Sequence, residues 1–149
     1  MRNWVAIFLL TALTLGGCSS DGYIRAKDTP LQGWQRAVIF NIENRDTTER
    51  CNISLMLRCR VAELDETRGT IRFNIVTTAP TQQRVAEQIE VALNSPDVVI
   101  ERGVVLIDQP YRSSVQWREL GEYQMAIYPT QPTDGVESVG VRVTPREIE

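Results

Sequence analysis

The sequence predicts an all-β domain, an antiparallel β-sandwich. Three observations carry that expectation. Short segments of alternating apolar and polar residues recur along the chain, the period of a strand with one buried face. Clusters of Asn, Asp, Thr, Gly and Pro separate them at intervals too short for crossover helices. Only residues 82–93 fit a helical stripe, and they fit a strand equally well. Seven or eight short strands in a chain of 149 residues suit two stacked sheets, immunoglobulin-like or jelly-roll-like.

In chain order, Arg2 leads into an apolar run, Trp4 to Leu15, and then to Gly16-Gly17-Cys18, the layout of a secretory signal. The run is about a dozen residues long, whereas a bilayer span needs roughly 20. Leu15-Gly16-Gly17-Cys18 resembles a bacterial lipobox, in which a peptidase cuts before a cysteine already linked to diacylglycerol. Cys18 is therefore the expected lipid-attachment residue, and acyl chains there would hold the protein to a membrane. Residues 1–17 read as the leader, 18–30 as a flexible polar tether and 31–149 as the sandwich.

Trp34 to Ile42 opens the domain as a strand, with Trp34, Arg36, Val38, Phe40 and Ile42 on one side. Glu43 to Thr48 is a turn cluster. Cys51, Ile53, Leu55, Leu57, Cys59 and Val61 share one face of the next strand. Asp65 to Gly69 is a turn, and Ile71, Phe73 and Ile75 point inward from the strand after it. Ser95-Pro96-Asp97 ends the ambiguous stretch. Val98 to Ile100 and Val104 to Ile107 are short β-rich runs, and Pro110 to Ser114 reads as a loop. Tyr123, Met125 and Ile127 mark a strand closed by Pro129, and 131–135 is a turn. Val139, Val141 and Val143 mark the last strand.

Composition narrows function. Arg2 is the only charge in residues 1–17, so the remainder carries 15 basic and 19 acidic residues. A mildly acidic domain lacks the basic footprint of a nucleic-acid binder, and no polybasic run addresses a lipid surface. The chain has no histidine, which removes the commonest general base and metal ligand. No phosphate loop, dinucleotide glycine pattern, zinc spacing or nucleophile elbow occurs. Asp65 with Glu66, Glu87 with Glu90, and Glu119 with Glu122 read as solvated turn and rim residues rather than a catalytic pair or a calcium loop. No enzymatic activity and no cofactor are expected.

Cys51 and Cys59 invite a disulfide in an exported protein. In one strand, however, eight steps of about 3.3 Å put them roughly 26 Å apart, and a disulfide needs Cα atoms within about 7 Å. Both read as small buried hydrophobes. Trp34, Tyr111, Trp117 and Tyr123 are open to two readings: a platform on which sugar rings stack, or plugs at the ends of the core. The first would make the protein a glycan binder through Trp34 or Trp117. Asn52-Ile53-Ser54 matches an N-glycosylation triplet of no consequence in a bacterial lipoprotein.

Several fragments together resemble the type H gliding-motility lipoproteins of the Bacteroidetes. They are Cys18, the segment Pro30-Leu31-Gln32-Gly33-Trp34, and Asp46-Thr47-Thr48 leading to Asn52-Ile53-Ser54-Leu55 with Arg58. Gly121-Glu122-Tyr123 and Gly135 to Arg142 complete the set. Residues 80–118 lack the Gly/Trp-rich turn of those proteins, and the cysteine pair is not one of their features. The resemblance implies a β-sandwich without enzymatic activity, held in the cell envelope, with the outer membrane favoured, and working through contacts with other envelope proteins. It favours strand over helix for 84–93. Asp46-Thr47-Thr48 also resembles an O-glycosylation motif of that phylum, with Thr47 as the acceptor.

Overall fold

The computed structural model describes residues 22–64, 69–95 and 98–146. They form two antiparallel sheets packed face to face, so the all-β sandwich expected from the alternation is the observed fold. The strands are β1 (Tyr23–Asp28), β2 (Val38–Asn44), β3 (Arg50–Arg60), β4 (Thr70–Thr78) and β5 (Arg84–Ala92), followed by β6 (Val99–Glu101), β7 (Val104–Gln116), β8 (Gly121–Pro129) and β9 (Val136–Pro145). One sheet has the order β1-β9-β3-β7-β6 and the other β2-β8-β4-β5.

Alternation becomes core directly. On β3, Cys51, Ile53, Leu55, Leu57 and Cys59 are buried, while Arg58 and Arg60 face solvent. Val139, Val141 and Val143 on β9 lie beside them. The facing sheet contributes Phe40, Phe73, Ile75, Met125 and Ile127, all fully enclosed. Each is β-branched, aromatic or long, the shapes that fill a pleated, half-buried surface. Both thiols are free and buried, as the geometry of a single strand requires.

Three expectations need correction. Part of the stretch read as tether is structured: Tyr23–Asp28 pairs along its length with β9. An edge strand held by main-chain bonds needs little apolar burial, and Ile24 and Ala26, which share one face, both stay exposed. Pro110 to Ser114 is not a loop but the bulged continuation of β7. Register shifts near Ile53 absorb the extra residues, Ser114 takes φ 56°, and its N–H donates to Asn52 Oδ1 at 2.9 Å. Beyond Leu106 no described strand pairs with the other side of β7, where a strand tolerates proline. Finally, the strand expected from Trp34 begins only at Val38; Trp34 instead makes an isolated bridge to Thr133. The ambiguous 82–93 stretch is strand β5, paired with β4 from end to end.

Each sheet edge is guarded. β6 is only three residues long. β1 carries Arg25, Lys27 and Asp28, and the Lys27 ammonium donates to the Ile39 carbonyl of β2 at 2.5 Å, tying two edges together. On β5, Glu87 lies opposite the buried Ile75 and so points between the sheets. Tyr111 Oη donates to it at 2.9 Å, and Arg112 pairs with it. Inward charges, short edges and lysines are the devices that stop sheets from pairing edge to edge.

The sandwich has two distinct ends. At the base, β1 begins beside the start of β3 and the end of β9, among loops 45–49, 79–83 and 117–120. At the crown, Trp34 caps the core, packing on Phe73 with ring centroids 5.7 Å apart and donating from Nε1 to the Arg36 carbonyl at 2.7 Å. Gly135 (φ +90°) lets the Val61–Glu63 turn close on β9; a Cβ there would meet Leu64 N at 2.8 Å.

Candidate functional site

The expected lipid-attachment residue, Cys18, lies outside the described residues, as do Asp65 and Glu66. Thr47 sits half-buried in loop 45–49 at the base. Its carbonyl accepts from Gln116 Nε2 at 2.7 Å, and Thr48 folds its hydroxyl and N–H onto Asp46 Oδ1 at 2.6 and 2.7 Å. Those bonds, the side-chain one first, hold the Asp46 carboxyl below its ordinary range. The loop is thus a compact Asx-type turn that presents its tip at the base.

The aromatics do not form one platform. Trp34 is 1% exposed at the crown, so the glycan reading through an exposed Trp34 fails on burial. Trp117 and Tyr123 pair at the base with centroids 4.4 Å apart, and Tyr123 is buried. The Trp117 indole donates from Nε1 to Cys51 Sγ at 3.1 Å, while Glu119 N–H donates to Tyr123 Oη at 3.1 Å. Tyr111 sits on β7 at the side of the core and bonds Glu87. Burial pushes the Tyr111 phenol and the Cys51 thiol upward, the latter opposed by the indole bond, and pushes Cys59 up to about 12. These thiols are packed groups, not nucleophiles. Among the described residues no group of three or more His, Cys, Asp or Glu stands close enough to hold a metal.

Two surface features escaped the sequence reading. The first is a set of exposed apolar side chains at and beside the β6–β7 hairpin, toward the crown. Val99 and Leu106 are cross-strand neighbours on the outer face, 57% and 45% exposed. Ile100, opposite the buried Val105, points to the other face and is 68% exposed, and exposed Val61 donates its N–H to the Gly103 carbonyl in the hairpin turn.

The second is the outer face of the four-stranded sheet. Its middle row runs Ile39–Ala126–Val76–Ala86 across all four strands. One flanking row is Asn41–Gln124–Thr78–Arg84, and the other is Tyr128–Asn74–Gln88. Two of the four positions in the middle row are alanines. Gln88 Nε2 donates to Asn74 Oδ1 at 3.3 Å within one flanking row. Toward the crown this row gives way to a polar cleft of about 440 Å³ lined by Thr70, Arg72, Thr130, Gln131 and Thr133. Ion pairs lie on both outer faces: Arg72 pairs with Glu90 at 3.2 Å beside Asn74 and Gln88, while on the other sheet Arg58 and Arg60 both reach Glu137 at 2.9 Å and Arg142 pairs with Asp108.

No protein-family model matches this chain, and neither does any curated protein or solved structure.

Proposed function

We propose that this chain is a lipid-anchored protein of the bacterial cell envelope, of the kind its sequence resembles in the type H gliding-motility lipoproteins. In this reading it performs no chemistry of its own and works as an assembly component. The observation that carries the reading is the polarity of the sandwich relative to Cys18. Strand β1 begins at Tyr23, five residues after that cysteine. Five extended residues reach at most about 18 Å. Acyl chains on Cys18 would therefore keep the base beside the bilayer and turn the crown away from it. The exposed Val99, Ile100, Leu106 and Val61 then sit where another envelope protein can reach them. Apolar surface gathered at that end is available for a partner to cover.

Metabolic labelling with a palmitate analogue tests the anchor: the wild type takes the label and Cys18→Ala does not. A photo-crosslinking residue at Ile100 tests the contact, with capture of a discrete envelope protein that Val99→Glu with Leu106→Glu abolishes. Label retained by Cys18→Ala refutes the anchor. Indiscriminate crosslinks, or crosslinks unaffected by the double variant, refute the contact.

A further inference from the structure

We infer that Met56 is a site of reversible oxidation by peroxide, and that its sulfoxide loosens the edge strand β1. The chain has three methionines. Met1 lies outside the described residues, and Met125 is fully enclosed. Cys51 and Cys59 are buried too. Met56, half-buried on the outer face of β3, is therefore the only sulfur-bearing residue among the described ones that is not buried. A thioether needs no deprotonation before it reacts, so access to solvent decides which sulfur is oxidised.

Register explains what this side chain covers. Gly140 of β9 stands in one row between Met56 of β3 and Ala26 of β1. It alternates with the inward Val139 and Val141 and so faces outward, yet it is buried. Its cover is the Met56 methyl. A Cβ on Gly140 would meet Met56 Cε at 2.9 Å, the Arg25 carbonyl oxygen at 2.9 Å and Ala26 Cβ at 3.3 Å. The thioether arm thus reaches over the glycine toward β1 and shields the pairing of β1 with β9 from water. Little other apolar surface holds that strand, since Ile24 and Ala26 are both exposed.

The chemistry is a single oxygen transfer. A lone pair on Sδ attacks an oxygen of hydrogen peroxide, the O–O bond breaks, the thioether becomes a sulfoxide and the peroxide leaves as water. Sulfur gives up the electron pair that peroxide takes. The product turns a flexible apolar arm into a polar, chiral one. Its new oxygen is a hydrogen-bond acceptor. The notch at Gly140 offers that oxygen only Ala26 and another acceptor, the Arg25 carbonyl. Donors stand elsewhere: Arg58, two residues along the same face, and Arg142 in the next row, each with N–H groups beyond those on its carboxylate. The oxidised arm therefore leaves the notch, and water reaches the β1–β9 pairing. Methionine sulfoxide reductases restore the thioether, so the change is reversible. None of this depends on whether Cys18 is acylated.

The test treats the protein, extracted in a peroxide-free detergent, with dilute hydrogen peroxide. Peptide mass spectrometry and amide hydrogen exchange follow. Met56 should gain one oxygen while Met125 stays unmodified. Amides of Tyr23–Asp28 should then exchange about tenfold faster, with those of Thr70–Thr78 unchanged. Treatment with the two sulfoxide reductases should restore the original rate. Met56→Leu keeps an apolar cover without an oxidisable sulfur, and should make β1 exchange insensitive to peroxide. Met56→Gln places a polar arm of similar length there, and should speed β1 exchange with no oxidant present. Both replacements project outward, and a cooperative melting transition verifies that each variant folds. Oxidation of Met56 no faster than that of Met125 would overturn the inference. So would β1 exchange unchanged once Met56 is oxidised, or the same acceleration by peroxide in Met56→Leu.

Discussion

Cys59 shows how one buried atom sets a response to pH. It is fully enclosed beside Val105 and Val136. Burial raises its thiol from an ordinary 9.0 to about 12. The sign follows from proton counting: between those values the unfolded chain has released the proton and the folded chain still holds it. Stability is therefore present in full below pH 9 and falls as pH rises, by up to about 1.4 kcal/mol per unit of pH. Burial raises the Tyr23 and Tyr111 phenols too, so they push the same way. Denaturant titrations from pH 8 to 11 should show this decline, and Cys59→Ala should flatten it while costing about 1–2 kcal/mol at neutral pH. An alkaline slope identical in the variant would show that the thiol does not carry it. At this scale the sequence was partly legible. Alternation placed both thiols in one buried row and so excluded their pairing. Trp34 as a plug was one of two open readings, because an indole beside Gly33 and Arg36 looks alike whether it caps a core or faces a sugar. Burial decides between those, and burial depends on Phe73, which is distant in sequence.

Strands with one buried face declared themselves: β3, β4 and β8 alternate cleanly, and β9 does so from Val139 on, past a register shift after Val136. Those with another reason to be strands did not. β1 leaves even its Ile24 exposed and is held by main-chain pairing, and β7 passes through Pro110 and a bulge that sequence period cannot express. β5 was ambiguous because its inward face is interrupted by Glu87. That interruption protects an edge nine residues long. Removing it should expose the edge. Glu87→Val keeps β propensity, deletes the inward charge and frees Tyr111 and Arg112, which now hold it. The expected result is concentration-dependent dimers or larger species by light scattering, with a strand content unchanged by circular dichroism. A variant that stays monomeric at every concentration would place the protection elsewhere, in the backbone twist or in Arg84 and Glu90. The outer face of the four-stranded sheet was illegible for a related reason. Its rows come from four strands whose order, β2-β8-β4-β5, appears nowhere in the linear chain. Ala126 means nothing until Val76 stands beside it.

The arrangement of the whole molecule follows from where the chain joins it. The exposed apolar side chains at the crown can meet a partner only if the base, and not the crown, faces the membrane. With Cys18 acylated as proposed, the reach of about 18 Å to Tyr23 holds the base close. β3, eleven residues long, separates the two ends by about 36 Å. The native thiols Cys51 and Cys59 are buried, so engineered surface cysteines can be labelled selectively in the folded protein. Fluorophores at Leu120→Cys, in the 63% exposed position of loop 117–120, and at Glu101→Cys on the crown hairpin then report on the two ends. In vesicles carrying nitroxide on their headgroups, the Leu120 position should be quenched strongly and the Glu101 position scarcely at all. A spacer of about 20 Gly and Ser residues inserted between Cys18 and Tyr23 should erase the difference, because a coil of that length reaches over 20 Å and lets the sandwich tumble. Equal quenching without the spacer, or stronger quenching at Glu101, would mean that the protein lies along the surface or is held from the other end. A partner would then have to reach the crown from beside the bilayer rather than from above it. Quenching that the spacer removes shows instead that a few residues of leash, rather than any contact between protein and lipid, orient the molecule.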